Sequence, residues 1–305
     1  MIRFLVRRLI VALLVVATVM TLAFILTRLS GDLATSIAGP NATQDDVNMV
    51  RKAYGLDRPL AVQFFDWVGH ALTGDLGDSY FFKKRVATLI GERMPVTLTL
   101  GLTGLVIALL VSLPLGVLAA VRENTVFDRA VQVVALVGQA MPSFWLGLIL
   151  MITLGLQLGW LPISGTGSWQ HYVMPGIVLA FSAIPALTRL IRAGMIQAIG
   201  SDYIRTARAK GLSRSSILLK HALRNAAIPV VAIAAVQLGF MLGGSIVIES
   251  VFALHGVGFL AWESIGKNDF PVVQAVVLVL AVIYVVLTIL ADLINAVLDP
   301  RLRAP

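Results

Sequence analysis

Between Arg129 and Arg189 lie fifty-nine consecutive residues without a charged side chain. A soluble domain cannot cover its core with so little polar surface, whereas hydrocarbon makes no such demand. With 58% hydrophobic and 13% charged residues and a mean hydropathy of +0.90, the chain belongs in a bilayer. Zero cysteines remove disulfides and thiolate metal sites and leave the redox compartment unreadable.

The uncharged runs predict six membrane-spanning helices, at about 9–27, 94–121, 130–158, 175–190, 228–248 and 271–291, because about 20 apolar residues cross a ~30 Å hydrocarbon core. The first follows Arg3, Arg7 and Arg8. It is longer than a signal-peptide core and reads as an uncleaved anchor, although Ser36-Ile37-Ala38 resembles a cleavage site. Pro114 and Gly116 predict a kink in the second span. The cluster from Pro162 to Ser168 divides the fifty-nine-residue run into spans three and four, and Trp160, Trp169 and Tyr172 beside it suit a membrane–water interface.

Residues 31–93 form a polar region of mixed charge. Two amphipathic helices are expected in it, one capped by Thr43 and stopped by Gly55, the other opening at Pro59, followed by a turn over Gly74-Asp75-Leu76-Gly77-Asp78-Ser79. The stretch 189–229 holds eight Lys and Arg against Asp202 alone, a net charge of +7. Together with the three N-terminal arginines it gives one side of a six-span chain +10, while the loop 249–270 on the other side carries −2. The basic side is therefore expected in the cytoplasm with both termini, and 31–93 outside. Positive charge of this origin argues for membrane flanks and lipid contact, not for nucleic acid.

Several catalytic strings fail on context. Gly256-Val257-Gly258-Phe259-Leu260-Ala261 fits a dinucleotide-binding string without the preceding strand, and Ser264-Ile265-Gly266-Lys267 lacks the partner motifs of a serine acylase. No Gly-x-x-x-x-Gly-Lys-Ser/Thr string occurs, so the chain offers no phosphate cradle of that kind. His70, His171, His221 and His255 are scattered, and no metal site is expected.

The spans hold almost nothing ionisable, whereas proton-coupled carriers need titratable groups near the midplane. They do hold Gln139, Met141, Pro142 and Ser143 in span three, and Gln237, Met241 and Ser245 in span five. These read as an uncharged polar path or gate for a solute, and the glycines around them, notably the Gly239/Gly243 pair, as close helix packing. Such a path must draw its energy from elsewhere; a self-powered secondary carrier or channel is the alternative from another class. Within 192–226, Gly200 and Ser201 break the helix running on from span four. Asp202 is expected to cap a short helix from Tyr203 to Lys210, Gly211 to stop it, and Ser213 to cap the next. A short cytoplasmic helix between two spans suits a handle gripped by a motor subunit.

The string Asp202-Tyr203-Ile204-Arg205-Thr206-Ala207-Arg208-Ala209-Lys210-Gly211-Leu212 resembles the coupling-helix loop of ATP-binding-cassette (ABC) importer permeases, in the form found in the dipeptide/oligopeptide/nickel family. Ala207 and Gly211 keep that loop's spacing, while Arg205 replaces its usual Glu. Gly74-Asp75-Leu76-Gly77 with Ser79, Met141-Pro142-Ser143-Phe144, Glu249-Ser250-Val251-Phe252 and Leu298-Asp299-Pro300-Arg301 resemble the first-type permease subunit of that family, in the same order along nearly the whole chain. His255 stands where a proline is commoner there. The resemblance implies an all-α integral membrane protein with the type I ABC importer permease fold, a single domain over 1–305 in the bacterial cytoplasmic (inner) membrane. It implies a chain that is not itself catalytic and binds no cofactor, with ATP and Mg on two partner ATP-binding subunits, a second homologous permease making a heterodimer, and an extracytoplasmic solute-binding protein. Coupling to the ATPases would fall to Asp202, Tyr203, Arg205, Ala207, Arg208, Lys210, Gly211, Leu212 and Ser213. Di- or oligopeptides are the expected solutes, with nickel, opines, glutathione or oligosaccharides within the family's range.

Overall fold

The structure is a computed structural model that describes residues 2–29, 31–39 and 41–298. Fourteen α-helices are found among them. In chain order they are α1 (Ile2–Leu29), α2 (Leu33–Ala38), α3 (Gln44–Ala53), α4 (Leu60–Leu72), α5 (Val86–Val121), α6 (Val126–Ala140) and α7 (Ser143–Leu150). After a π-helical turn, Met151–Gln157, and a 3₁₀ turn, Trp169–Tyr172, come α8 (Val173–Ile199), α9 (Asp202–Ala209), α10 (Arg214–Ser216), a second π-helical turn (Ile217–Ala222), α11 (Leu223–Ala226), α12 (Ile228–Val251), α13 (Val257–Gly266) and α14 (Phe270–Leu298). Five helices are long and apolar enough to cross a membrane, and the bent pair α6–α7 makes a sixth crossing if counted as one span. Helices suit a bilayer, since every backbone N–H finds its acceptor within its own segment.

Two of the expected spans differ in the structure. Span two is contained in α5, which stays one helix through Pro95 and Pro114; its 36 residues reach about 54 Å at ~1.5 Å per residue, far beyond the hydrocarbon core. Span three, expected as one rod over 130–158, is broken: α6 and α7 meet at 99°. The break lies at Met141, whose backbone is extended (φ −76°, ψ 130°) because the following Pro142 disfavours the helical region for the residue before it. The predicted helices over 43–54 and 59–73 are present as α3 and α4, with the Thr43 hydroxyl and Asp46 carboxylate forming a reciprocal capping box.

Contacts group the chain into two compact units, within Met1–Thr97 with His255–Val285 and within Leu98–Leu254 with Val286–Pro305. In the first, Val86, Leu89 and Ile90 of α5 pack on Val257, Leu260 and Ala261 of α13 and on Val272, Ala275 and Val276 of α14. The Val257 N–H donates to the Thr97 hydroxyl at 2.8 Å, anchoring the start of α13. The turn after α4 is pinned by Asp269: its buried carboxylate accepts from the Ser79 hydroxyl and from the N–H groups of Tyr80 (3.1 Å) and Phe81 (3.3 Å). Gly77 makes this turn possible by taking φ +79°.

In the second unit α8 is the central rod, with Met174, Val178, Leu187, Ile191 and Met195 all buried. Glycines let neighbours approach it. A Cβ on Gly116 of α5 would stand 2.7 Å from the Ile191 side chain, and one on Gly138 of α6 would stand 2.8 Å from Phe181. The expected Gly239/Gly243 packing does not occur at its second member, since Gly243 and its neighbour Gly244 have no atom within 4 Å of where a Cβ would sit.

Candidate functional site

The helix break after α8 makes the most distinctive surface of the second unit. Ser201, in extended conformation, precedes α9, and Asp202 is the first residue of that helix rather than its cap. An aspartate there is favoured without accepting a capping bond, because the helix dipole stabilises negative charge in the first turn. Ile204 and Ala207 are buried and hold α9 to the unit. Arg205, Arg208 and, just past the helix, Lys210 are exposed, so the surface around the buried pair is cationic. Arg205 lies 3.3 Å from Asp202, both largely exposed, a contact worth little by itself.

The helix ends as the sequence predicts: Gly211 takes φ +74° in open space, and the Ser213 hydroxyl accepts from the Ser216 N–H at 3.3 Å. Tyr203 ties α9 to α11, its hydroxyl accepting from the Asn225 side-chain amide at 2.9 Å. Two clefts flank α9. One of about 430 Å³ is bordered by Arg208, Leu212, Arg214, Ile217 and Val121; the other, of about 460 Å³, by Tyr203, Lys220, His221, Arg224 and Asn225. Of the nine residues expected to couple, Ala207 is buried and the other eight are exposed or half-exposed between two hollows, with Arg205, Arg208 and Lys210 making the surface cationic.

The expected gate residues divide. Gln139, Pro142 and Ser143 are exposed around the α6–α7 break, and Met141 and Gln237 are half-buried. Met241 and Ser245 are buried within the second unit. The Ser245 hydroxyl is 2.9 Å from both the Leu242 carbonyl and the Glu249 carboxylate, to which it can donate. The open face of α12 is instead formed by Phe240, Gly243, Gly244 and Val247. Glu249, expected at the head of a loop, is a fully buried carboxylate inside α12. Its i, i+4 spacing from Ser245 was the available signal for that placement.

Another buried acid left no mark in the sequence reading. Asp128, in the first turn of α6, is joined to Arg192 of α8. Its carboxylate also accepts from the Asn124 N–H (3.0 Å) and the Gln132 side chain (3.1 Å).

A cationic ridge at a helix break, set among apolar rods, is the point at which comparison with known proteins becomes decisive. The profile of the family described as "Binding-protein-dependent transport system inner membrane component" matches residues 112–304, and that of "Binding-prot-dependent transport system membrane comp, N-term" matches 1–101. The chain belongs to this family. It is an ABC importer permease subunit, a multi-span protein of the inner membrane. It is 41% identical over 275 residues to the glutathione transport system permease protein GsiC of Salmonella choleraesuis (strain SC-B67), covering 90% of each chain. The protein of that name from Escherichia coli is 40% identical over the same length and coverage. Among solved structures, the MetNI methionine ABC transporter in an inward-facing conformation aligns with a TM-score of 0.59 at 20% identity, over 69% of this chain and 96% of that one, a likeness of fold. As a permease of an ABC importer, the protein works with ATP-binding and solute-binding partners.

Proposed function

We propose that α9 is the coupling helix: ATP-binding subunits grip its cationic face and move α8 and α12, between which it is suspended. The observation that carries this reading is the sorting of α9, with Ile204 and Ala207 buried and Arg205, Arg208 and Lys210 outward. A handle of this kind suits an external motor, since exposed guanidinium groups offer forked donors to acidic partner side chains. The ATP and Mg sites belong to two such partners, this chain binding no cofactor. A second homologous permease completes a heterodimer, and the open α12 face with Gly243 and Gly244 is where it, or the solute, meets this chain. Both termini and α9 lie in the cytoplasm, and residues 31–93 face the solute-binding protein outside.

The solute is a short peptide. Glutathione, itself a tripeptide, is the leading example because permeases named for its transport are 40–41% identical to this chain. The path between the membrane faces passes the break at Met141 and Pro142.

The test is a bulky residue at Gly211, whose φ of +74° a β-branched side chain tolerates poorly. In the complete transporter, Gly211→Val is expected to abolish peptide uptake while ATP hydrolysis and membrane insertion persist. Normal uptake by the variant, or uptake that continues without ATP-binding subunits and collapses with the proton gradient, would defeat the reading in favour of a self-powered carrier.

A further inference from the structure

The first unit contains a cavity of about 690 Å³ at the end of α1 that the transport reading leaves unexplained. Its position is informative. The apolar run of α1 extends through Leu29, so Arg28 stands in the last turn of a span, where hydrocarbon gives way to polar surroundings. The Arg28 guanidinium lies 4.9 Å from the ring centroid of Phe24, and its Nε is buried without a hydrogen-bond partner. The rest of this half-buried side chain borders the cavity and gives it a positive charge.

The wall opposite brings more positive charge. Lys83, Lys84 and Arg85 border the cavity with Arg28, against the two carboxylates Asp75 and Asp78. Asp75 already accepts from the Gly77 N–H at 3.1 Å. Among the described residues no carboxylate comes within ion-pair distance of Arg28, Lys83 or Arg85, and Lys84 has only Glu92 at 3.5 Å. The rim is aromatic: Tyr54 and Tyr80 meet edge to face at 5.6 Å, and Trp67 stacks on Phe24 at 6.2 Å. Excess cations, amphipathic rings and an apolar floor of Leu33 and Phe270 thus converge at one membrane boundary.

We infer that this cavity is a binding site for a phosphate ester, and specifically for the phosphodiester headgroup of a membrane phospholipid whose acyl chains run beside α1. The phosphate would neutralise Lys83, Arg85 and the accessible part of the Arg28 guanidinium through charge-assisted bonds. A free peptide carboxylate satisfies the charge but not the location, because it gives the apolar floor and the flank of the span nothing to bury. The inference depends on α1 being a span, not on which solute is transported.

The test uses the full-length chain in a neutral detergent, titrated with phosphatidylglycerol carrying brominated acyl chains. Binding is read as the quenching present in the wild type and lost in Trp67→Phe. Saturable quenching is expected, with affinity falling about tenfold or more in Arg28→Gln and in the paired, solvent-exposed change Lys83→Gln/Arg85→Gln. Brominated diacylglycerol, which lacks the phosphate, should quench without saturating. Competition by glycerol phosphate as strong as by the lipid would uphold the phosphate site and assign it to a soluble ester. Equal quenching by diacylglycerol in wild type and variants, unaltered affinity in the exposed double variant, or displacement by glutathione at lower concentration than by glycerol phosphate would overturn the inference.

Discussion

Asp128 and Arg192 meet through two parallel hydrogen bonds, Nε to Oδ1 at 2.6 Å and Nη2 to Oδ2 at 2.7 Å, which join the first turn of α6 to α8. The forked geometry fixes the two helices in angle as well as distance, as a single point contact could not. Both helices lead toward sites assigned above, α6 to the break at Met141 and α8 to the start of α9. On the proposed reading, the pair links the coupling helix to the path.

Removing one partner should be far worse than weakening the pair. Asp128 is buried, and Arg192→Met would leave its carboxylate without a countercharge, at a cost of about 3 kcal/mol. Arg192→Lys retains the charge but loses the fork, so only partial recovery is expected. Thermal inactivation of the purified chain checks this, with the order wild type, Lys, Met in falling stability. Equal stability for Met and wild type would contradict a structural role.

Two glycines in different settings should respond oppositely to the same added methyl group. At Gly116 the new Cβ would stand 2.7 Å from the Ile191 side chain and 3.0 Å from the Thr188 carbonyl oxygen, so Gly116→Ala should destabilise the chain by about 1–3 kcal/mol. Gly243→Ala meets nothing within 4 Å inside α12 and should stabilise the isolated chain by about 0.5–1 kcal/mol. If the open α12 face meets a second permease, Gly243→Ala will also weaken assembly, measured by co-purification of the complex.

Tyr80 should ionise late. Burial disfavours its phenolate, and with the added repulsion of the neighbouring Tyr54 its pKa is pushed up to about 12 despite the opposing pull of Arg28. Because the folded value lies above the ordinary 10, the contribution to stability is complete below about pH 10 and is lost as pH rises toward 12. Ultraviolet titration of the wild type against Tyr80→Phe isolates this group, and a difference signal centred near pH 10 would refute the buried placement.

How far the sequence can be read follows from which interactions are local. The turn at Gly74 to Ser79 is visible in its glycines and aspartates, yet the acceptor that pins it, Asp269, is 190 residues distant from Ser79 and leaves no trace in the local pattern. The cationic α9 is legible because charge, N-terminal break and Gly211 lie within a dozen residues. That Met241 and Ser245 are buried while Gly243 and Gly244 are open was not legible, for a different reason. A helix apolar on every side carries no moment to say which face lipid, protein or solute will cover. The break between α6 and α7 was hidden because absence of charge cannot distinguish Pro142, which ends a helix, from Pro114, which sits inside one.

Hydrophobic run length, charge sorting and local capping chemistry thus determined from sequence alone that this chain is helical, bilayer-embedded and equipped with a basic interhelical handle, since each acts over a few turns of backbone. The tertiary structure alone decided that Asp128 finds Arg192, that Asp269 holds the turn after α4, and that Arg28 faces a cavity. Those outcomes depend on pairing side chains far apart along the chain, and the low dielectric of the interior makes each pairing strong only once the surrounding helices have excluded water.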